Sequence, residues 1–292
     1  MESLIEAVVV NYNAGDQLKS AVSSLLAEGI EKVWIVDNAS EDGSSAFAAN
    51  LGGKVSVLRP GKNIGYGRAA NLGFSRSNAR YFVVSNPDIE VSPGAIEKLV
   101  GELEIDRDCA LVGPRILNPD GTTYPSVRHF PSLLDAGGHA IFGQLFPRNA
   151  FTRRYRMLDV DHRDSFYADW VSGAFFVVRS DVFKKVGGFS DRFFMYLEDV
   201  YLCKTIGDRG YRVRFCGAAV VRHEQGGTTS SRPIRMALAH HRSLWTYAKL
   251  TKSGWRKVEL FPVGIGIFAR LTISLALTIL RKGAKKPEAN QT

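Results

Sequence analysis

Val83-Val84-Ser85-Asn86-Pro87-Asp88-Ile89-Glu90-Val91 begins as an apolar run and breaks at Asn-Pro-Asp. Its first residues read as a buried strand. Pro87 has no N–H to give to a sheet ladder, so regular pairing is expected to stop there. Asp88 is then held just past the strand end. In open α/β sheets ligands bind in the crevice outside the carboxyl ends of the strands, which makes Asp88 a candidate active-site residue.

Upstream, Ile5 to Asn11 is a nearly continuous β-branched run, the pattern of a strand buried on both faces. Leu18, Val22, Leu25 and Leu26 share one face of the helix that follows, with Asp16 as its cap and Gly29 as its end. Lys32 to Val36 gives a second strand, stopping at Asp37-Asn38-Ala39-Ser40, and Val55 to Leu58 a short third. Lys62-Asn63-Ile64-Gly65-Tyr66-Gly67-Arg68 is a glycine-containing loop that opens a helix through Ala69, Ala70, Leu72 and Phe74. Tyr81 to Ser85 is the strand that delivers Asp88. Ser92 and Pro93 are the expected N-cap and first residue of another helix, with Ile96, Leu99, Val100 and Leu103 inward. Strands alternating with helices predict right-handed crossovers and an α/β fold with a mostly parallel central sheet flanked by helices.

From Cys109 the pattern changes. Ala110 to Leu117 is strand-like and Asn118-Pro119-Asp120-Gly121 is a turn. Residues 122–165 lack periodicity, and a long irregular stretch in a compact domain is functional or disordered; here it is read as a functional loop region. Val171 to Val178 reads as one strand, and Asp181 caps a short helix closed by Gly187-Gly188-Phe189. Phe193-Phe194-Met195-Tyr196-Leu197 leads to Glu198-Asp199, a helix follows to Gly210, and the strand Tyr211 to Val221 leads to His223.

The tail differs again. Arg235 to Leu250 reads as a helix with aromatic and basic residues. Lys257 to Lys282 is apolar but interrupted by Glu259, Pro262, Gly264, Gly266 and Arg270. Its uncharged runs, Leu260 to Ala269 and Leu271 to Leu280, fall at about half of the ~20 residues a spanning helix needs. The expectation is therefore not a transmembrane helix. It is either an interfacial amphipathic segment flanked by Arg256, Lys257, Arg281, Lys282, Lys285 and Lys286, or a core helix hairpin with a solvated basic end.

Composition bounds the function. At 292 residues, with 45% hydrophobic and 11% aromatic residues, the chain builds one large domain or one domain with an appendage. Lys and Arg number 38 against 29 Asp and Glu, a net +9 that suits polyanionic partners or an anionic membrane surface. The aromatics fall inside apolar runs and no nucleic-acid motif is present, so nucleic acid is not the expected partner. Cys109, Cys203 and Cys216 show no paired spacing and read as reduced core residues of a cytosolic protein. Met1-Glu2-Ser3 runs straight into a strand, which predicts no signal peptide.

Asp37, Asp88 and the pair Glu198-Asp199 stand at strand or loop ends, where each taken alone is more often a cap or turn residue than a site residue. Asp37 can accept hydrogen bonds from a nucleotide's ribose or base, as acidic residues at strand ends do in dinucleotide folds. The loop at Lys62 matches neither G-x-G-x-x-G nor G-x-x-x-x-G-K-[ST], so neither a Rossmann fingerprint nor a P-loop is supported.

Taken in order, VVVNYN, VDNAS-x-DGS, KNIGYGRAANLG, NPD, SGAFFVVR, FFMYLEDVYLC and a late VRH resemble the inverting family 2 glycosyltransferases of the GT-A fold, and within them the bacterial rhamnosyltransferase-like branch. The resemblance covers roughly residues 5–225. It implies a glycosyltransferase domain over 1–230, with the nucleotide-sugar half to about 105 and the acceptor and catalytic half from 106; the composition of the tail makes 231–292 the expected helical, membrane-associating segment. By resemblance, Asn11, Tyr12 and Asn13 line the nucleotide pocket, with Asp37 and Asn38 at the base or ribose. Asn63, Gly65 and Arg68 face the donor, and Asn86 and Asp88 its diphosphate. Asp88 matches the last residue of the family's D-x-D motif and His223 its late metal-binding histidine. A divalent cation, Mg²⁺ or Mn²⁺, is therefore the implied cofactor. Asp199 matches the general base, Glu198 orients it, binds an acceptor hydroxyl or caps the helix beginning there, and Trp170, Ser172 and Gly173 border the acceptor. The irregular stretch falls on the acceptor side.

The implied reaction moves L-rhamnose from dTDP-rhamnose to a hydroxyl of a glycan or polyprenyl-diphosphate-linked acceptor in cell-envelope polysaccharide synthesis. It would run in the cytoplasm, peripherally at the inner face of the cell membrane. One displacement inverts the anomeric carbon, and the absence of a Cys or Ser nucleophile motif agrees. Asn86 departs from the pattern by replacing the first acid of D-x-D. Competing readings are a non-catalytic nucleotide-sugar-binding protein, a UDP-hexose or UDP-galactofuranose transferase of the same fold, and a nucleotidyltransferase. The last would need a glycine- and arginine-rich loop directly after the first strand, and Asn11-Tyr12-Asn13-Ala14-Gly15 is not one.

Overall fold

Buried along its whole length, β1 (Ile5–Asn11) lies inside a nine-stranded sheet. The computed structural model describes residues 4–131, 153, 157, 160–224 and 233–284. Parallel pairing joins β1 to β2 (Lys32–Asp37) on one side and to β4 (Tyr81–Ser85) on the other, and β2 to β3 (Val55–Leu58) at the edge. Beyond β4 the order continues through β10 (Phe175–Arg179), β6 (Cys109–Leu117), β11 (Arg212–His223) and β5 (Ile89–Val91), with β8 (Ser165–Ala168) also on β11. Six strands share one direction and β5, β8 and β10 oppose it, so the α/β sheet expected from the sequence is a mixed one: parallel through β3-β2-β1-β4 and between β6 and β11, antiparallel wherever β10, β5 and β8 pair. A two-stranded ribbon, β7 (Val127–Arg128) with β9 (Trp170–Val171), stands apart from it.

The period-2 alternation of β1 sorts the core into two layers. Ala7 and Val9 pack with Leu18, Val22 and Leu25 of α1 (Gln17–Ala27) and with Ile96, Leu99 and Leu103 of α3 (Ala95–Ile105). Val8 and Val10 face the opposite layer. It holds Ala69 and Ala70 of α2 (Tyr66–Phe74), Phe183 of α4 (Ser180–Val186), and Leu202 and Ile206 of α5 (Glu198–Asp208). This is the cover that a continuous apolar strand requires on both faces.

Four local expectations differ from the structure. Pro87 does interrupt pairing, but the ladder resumes two residues later as β5, which pairs antiparallel with β11. Ser92 and Pro93 do not open α3: they form a turn closed by the Ala95 N–H to Ser92 O bond, and Gly94 at φ 74° precedes the helix. The cap comes from afar, because the Glu28 carboxylate accepts from the N–H groups of Gly94 and Ile96 at 2.9 and 3.2 Å. Asp16 likewise makes no cap bond at α1; Asp42 accepts from Gly15 N instead at 2.9 Å. The expected single strand from Val171 to Val178 is split into β9 and β10, with Ser172-Gly173-Ala174 between them.

The tail is two helices, α6 (Pro233–Thr251) and α7 (Leu260–Ala284), packed on each other. α7 is continuous through Gly264, Gly266 and Arg270, and Pro262 sits in its first turn, where a missing N–H forfeits no helical bond. The two uncharged runs therefore join across one arginine. Gly254–Ala276 is long and apolar enough to cross a membrane by length and composition, contrary to the expectation that the runs are too short. The core-hairpin alternative also fails for α7, since Phe261, Ile265, Phe268 and Ile273 are exposed. Most of the irregular stretch, and the basic flank at Lys285 and Lys286, lie outside the described residues.

Candidate active site

The β5–β11 register sets Ile89 opposite His223 and so brings the imidazole to Asp88. His223 Nε2 lies 3.1 Å from Asp88 Oδ2, and the Asp88 carbonyl accepts from Glu224 N at 2.9 Å. Asp88 Oδ1 and His223 Nδ1 are buried and have no partner. Among the described residues no group of three or more His, Cys, Asp and Glu side chains is placed to hold a metal alone. One carboxylate and one imidazole with orphaned atoms fit a divalent cation bound chiefly through a ligand's phosphates. Asn86 is fixed by its backbone, which donates to Ala174 O at 2.8 Å.

At the ends of β1 and β2 the polar side chains knit three loops together. Asn11 is buried and donates to the hydroxyls of Ser40 and Ser44 at 3.0 and 2.8 Å, while its Oδ1 has no partner. Tyr12 beside it is half-buried. Asn13 sits at φ 52° and accepts from Glu41 N at 2.7 Å. The Asp37 carboxylate turns into its own loop, accepting from Ser40 N at 3.0 Å and from the Ser45 hydroxyl at 2.6 Å. Arg59, absent from the sequence reading, reaches the same place with Nε 4.0 Å from Asp37 and a 3.2 Å bond to Ser45 Oγ. Asn38 accepts from Ile64 N at 2.8 Å and donates to Asn63 Oδ1 at 3.1 Å, tying β2 to the loop before α2. Gly65 (φ 87°) lies against the Phe194 carbonyl, where a Cβ would collide with backbone. Arg68 donates to Asp191 O at 2.6 Å and braces α2 to the loop leading into α5.

The acidic pair begins α5. Tyr196 and Leu197, at φ 69° and 61°, take the left-handed conformation immediately before it, strain of the kind that marks functional sites. Asp199 keeps part of its surface open and is held by two backbone donors: Gly173 N to Oδ2 and Val200 N to Oδ1, both at 2.8 Å. A Cβ on residue 173 would stand 3.0 Å from that of Asp199, so the close approach requires glycine. Glu198 is buried with Oε2 unpartnered. Burial, and next the charge of Asp199, push its carboxyl up to about 8. Burial also raises Asp199, opposed by its two N–H donors and by Arg128. With two donors on Asp199 and none on Glu198 Oε2, hydrogen bonding favours the proton on Glu198 and the charge on Asp199.

Trp170 donates to His129 O at 3.0 Å and carries the Arg128 guanidinium 5.4 Å over its ring. Ser172 is fixed by its N–H to Ser126 O at 2.7 Å. Tyr66, which the sequence does not single out, is central here. Its hydroxyl donates to Gly173 O at 2.6 Å, and its acidity is suppressed by burial and then by the carboxyls of Glu198, Asp199 and Asp88. The two acidic corners thus meet around one phenol. A tyrosine in a glycine-rich loop carries no signal of this, because its partner lies 107 residues away. The three cysteines are buried and free, and burial pushes the thiols of Cys109 and Cys203 up to about 12, as expected of core residues.

The fold has solved counterparts. The structure aligns with the mannosyltransferase PcManGT from Pyrobaculum calidifontis in complex with GDP-Man and Mn²⁺ at a TM-score of 0.60 and 16% identity, covering 99% of this chain and 77% of that one. This is the GT-A fold, and the protein is a glycosyltransferase. Residues 6–187 match the family model for glycosyl transferase family 2. The chain is 34% identical over 275 residues to the N-acetylglucosaminyl-diphospho-decaprenol L-rhamnosyltransferase of Mycobacterium tuberculosis, covering 89% of each. It is 23% identical over 229 residues to the O-antigen chain rhamnosyltransferase RfbN of Salmonella typhimurium, covering 77% of this chain and 67% of that one. The chain belongs to glycosyl transferase family 2, on its rhamnosyltransferase-like side.

Two outcomes test the pair. Folded Glu198 keeps its proton to about pH 8, whereas the unfolded residue releases it near 4.5, so stability falls as pH rises between those values. Glu198→Gln stays neutral and escapes that fall, gaining on the order of a few kcal/mol relative to wild type between pH 5 and 8. Melting curves across that range should diverge; parallel curves would remove the proton from Glu198. Tyr66→Phe leaves the Gly173 carbonyl without its donor and should lower stability by roughly 1–2 kcal/mol in urea unfolding.

Proposed function

We propose that the protein transfers L-rhamnose from dTDP-rhamnose, with inversion, to a hydroxyl of N-acetylglucosamine carried on a polyprenyl diphosphate. The single observation that carries the chemistry is that Gly173 ties Asp199 to Tyr66, a phenol on which the Asp88 corner of the Asp88–His223 pair also acts. The sugar and acceptor follow the likeness to the mycobacterial rhamnosyltransferase. In this reading the acceptor hydroxyl oxygen attacks the anomeric carbon while Asp199 takes its proton. The bond from that carbon to the diphosphate breaks, and dTDP departs with the electron pair. Glu198, protonated, leaves Asp199 as the only anion of the pair and can donate to an acceptor oxygen. Trp170, Ser172 and Gly173 border the acceptor. Asn11, Tyr12, Asn13, Asp37 and Asn38 shape the nucleoside end, and Arg59 adds a cation there.

Asp88 and His223 would hold Mg²⁺ or Mn²⁺, which when bound stabilises charge on the departing diphosphate. The domain boundary near residue 230 and a cytoplasmic, membrane-peripheral location belong to the same proposal. Support for the location is the exposed apolar face of α7 with Arg256 and Lys257 at its start and Arg270 within it, an arrangement suited to an interfacial helix on an anionic surface.

Asp199→Asn should lower kcat by at least about 10²-fold while dTDP binding survives. Retained turnover would remove Asp199 as the base, and a wild type that binds dTDP-rhamnose without turning it over with any lipid-linked acceptor would favour the binding-protein reading. In thermal-shift measurements Mn²⁺ should add to the stabilisation by dTDP, and His223→Ala should abolish that increment. An increment unchanged in the variant would take the cation away from this corner.

A further inference from the structure

We propose that the groove between α6 and α7 holds the polyprenyl chain of the acceptor and that Arg242 and Arg270 flank its diphosphate; this rests on the lipid-linked acceptor proposed above. The groove is open along one side and offers about 540 Å³, with Leu238, Trp245, Ile267, Phe268 and Leu271 as its apolar walls. That volume falls within the roughly 300–1,000 Å³ of ligand sites.

Three observations select this occupant. The helix that walls the groove also supports the catalytic pair: Ser243 donates to Met195 O at 2.8 Å, and His240 meets the Tyr196 ring edge-on at 5.5 Å, two residues before Glu198. A chain seated along α6 therefore has a route to the acidic pair on one rigid element. The groove also has basic residues beside its apolar walls. Arg242 lines it, and Arg270 acts on His241 of its wall and on His240 beside it. The His240 imidazole, driven down to about 4 by burial and then by Arg270, His241 and Arg128, is neutral and adds no charge. Guanidinium forks suit a diphosphate, and apolar walls suit isoprene units. Finally, His241 is buried in the groove wall, donating through Nδ1 to Ala237 O at 2.7 Å and leaving Nε2 without a partner. A surface that only rests on a bilayer needs neither this concavity nor its connection to Tyr196.

Gly264 faces the Trp245 ring, and a Cβ on residue 264 would stand 3.4 Å from it, so Gly264→Leu fills the groove. Two readouts on the full chain test the proposal. Decaprenyl diphosphate without sugar should change the emission of Trp245, and both Gly264→Leu and the control Trp245→Phe should lose that change. In turnover, Gly264→Leu should raise KM about tenfold, the burial of roughly two methylenes, for a decaprenyl-linked acceptor. KM for dTDP-rhamnose and for the same head group on a short alkyl tail should stay as in wild type. Leu271→Trp, seven residues further along the same α7 wall, should behave alike. Equal KM changes for long and short tails, or an undiminished emission change in Gly264→Leu, would overturn the proposal. So would loss of binding to anionic vesicles without acceptor while the long-to-short KM ratio is unchanged, which would make the groove a membrane dock. Because the emission readout needs no turnover, failure of the rhamnosyl-transfer reading and failure of the groove are separable.

Discussion

The Gly173 peptide is the point at which the two halves of the chain are tied. Its N–H goes to Asp199 and its carbonyl takes the Tyr66 hydroxyl. Its neighbours extend the tie, Ser172 N to Ser126 O and Asn86 N to Ala174 O. Four segments, the start of α2, the end of β4, the residue before the ribbon strand β7 and the start of α5, thus share three consecutive residues. These residues exist as a separate segment because the apolar run breaks between β9 and β10. Had it continued as one strand, its N–H and C=O groups would be committed to a ladder and unable to hold Asp199.

That anchoring determines how the acidic pair divides its labour. For two adjacent carboxylates at a helix start, desolvation outweighs the favourable helix dipole and dominates both. What separates them is hydrogen bonding: two short N–H donors on Asp199, an orphaned oxygen on Glu198. The backbone strain at Tyr196 and Leu197 is compatible with this, since Tyr66 N and Ser243 Oγ hold the carbonyls of Phe194 and Met195 and over-determine the segment.

Periodicity makes most of the sheet legible, because β1, β2, β4 and β6 are runs whose burial on both faces leaves no other pattern. The order of short motifs makes the acidic corners legible. Contacts between distant residues are not. The Glu28 cap of α3, the pairing of β5 with β11 and the Tyr66–Gly173 bond each depend on tertiary placement that local spacing does not encode. The tail escapes a local reading for a different reason: glycine, proline and arginine count there as breaks. Gly264 and Gly266 in a long packed helix forfeit propensity of only about 1 kcal/mol each, Pro262 falls where it is harmless, and Arg270 interrupts the uncharged run but not the helix. Helix continuity follows from packing on α6, which no sequence window includes.

Asn86 is the position where the chain departs from its family's acidic motif, and the structure supplies a physical account. Its main-chain N–H to Ala174 O fixes the end of β4 against the segment carrying Gly173 and would survive an acid there, so the account lies in the charge of the side chain. An acid here would add a fourth carboxyl to Asp88, Glu198 and Asp199, the three that already act on Tyr66. Each further anion raises the energy of keeping Asp199 ionised. A neutral amide keeps the geometry and leaves Asp88 with His223, a pairing set by strand register and not by sequence proximity. In the proposed reading a diphosphate would supply the remaining oxygens, so that one carboxylate and one imidazole would suffice for a divalent cation, and the negative charge of the acidic pair would stay on the residue proposed to take the proton.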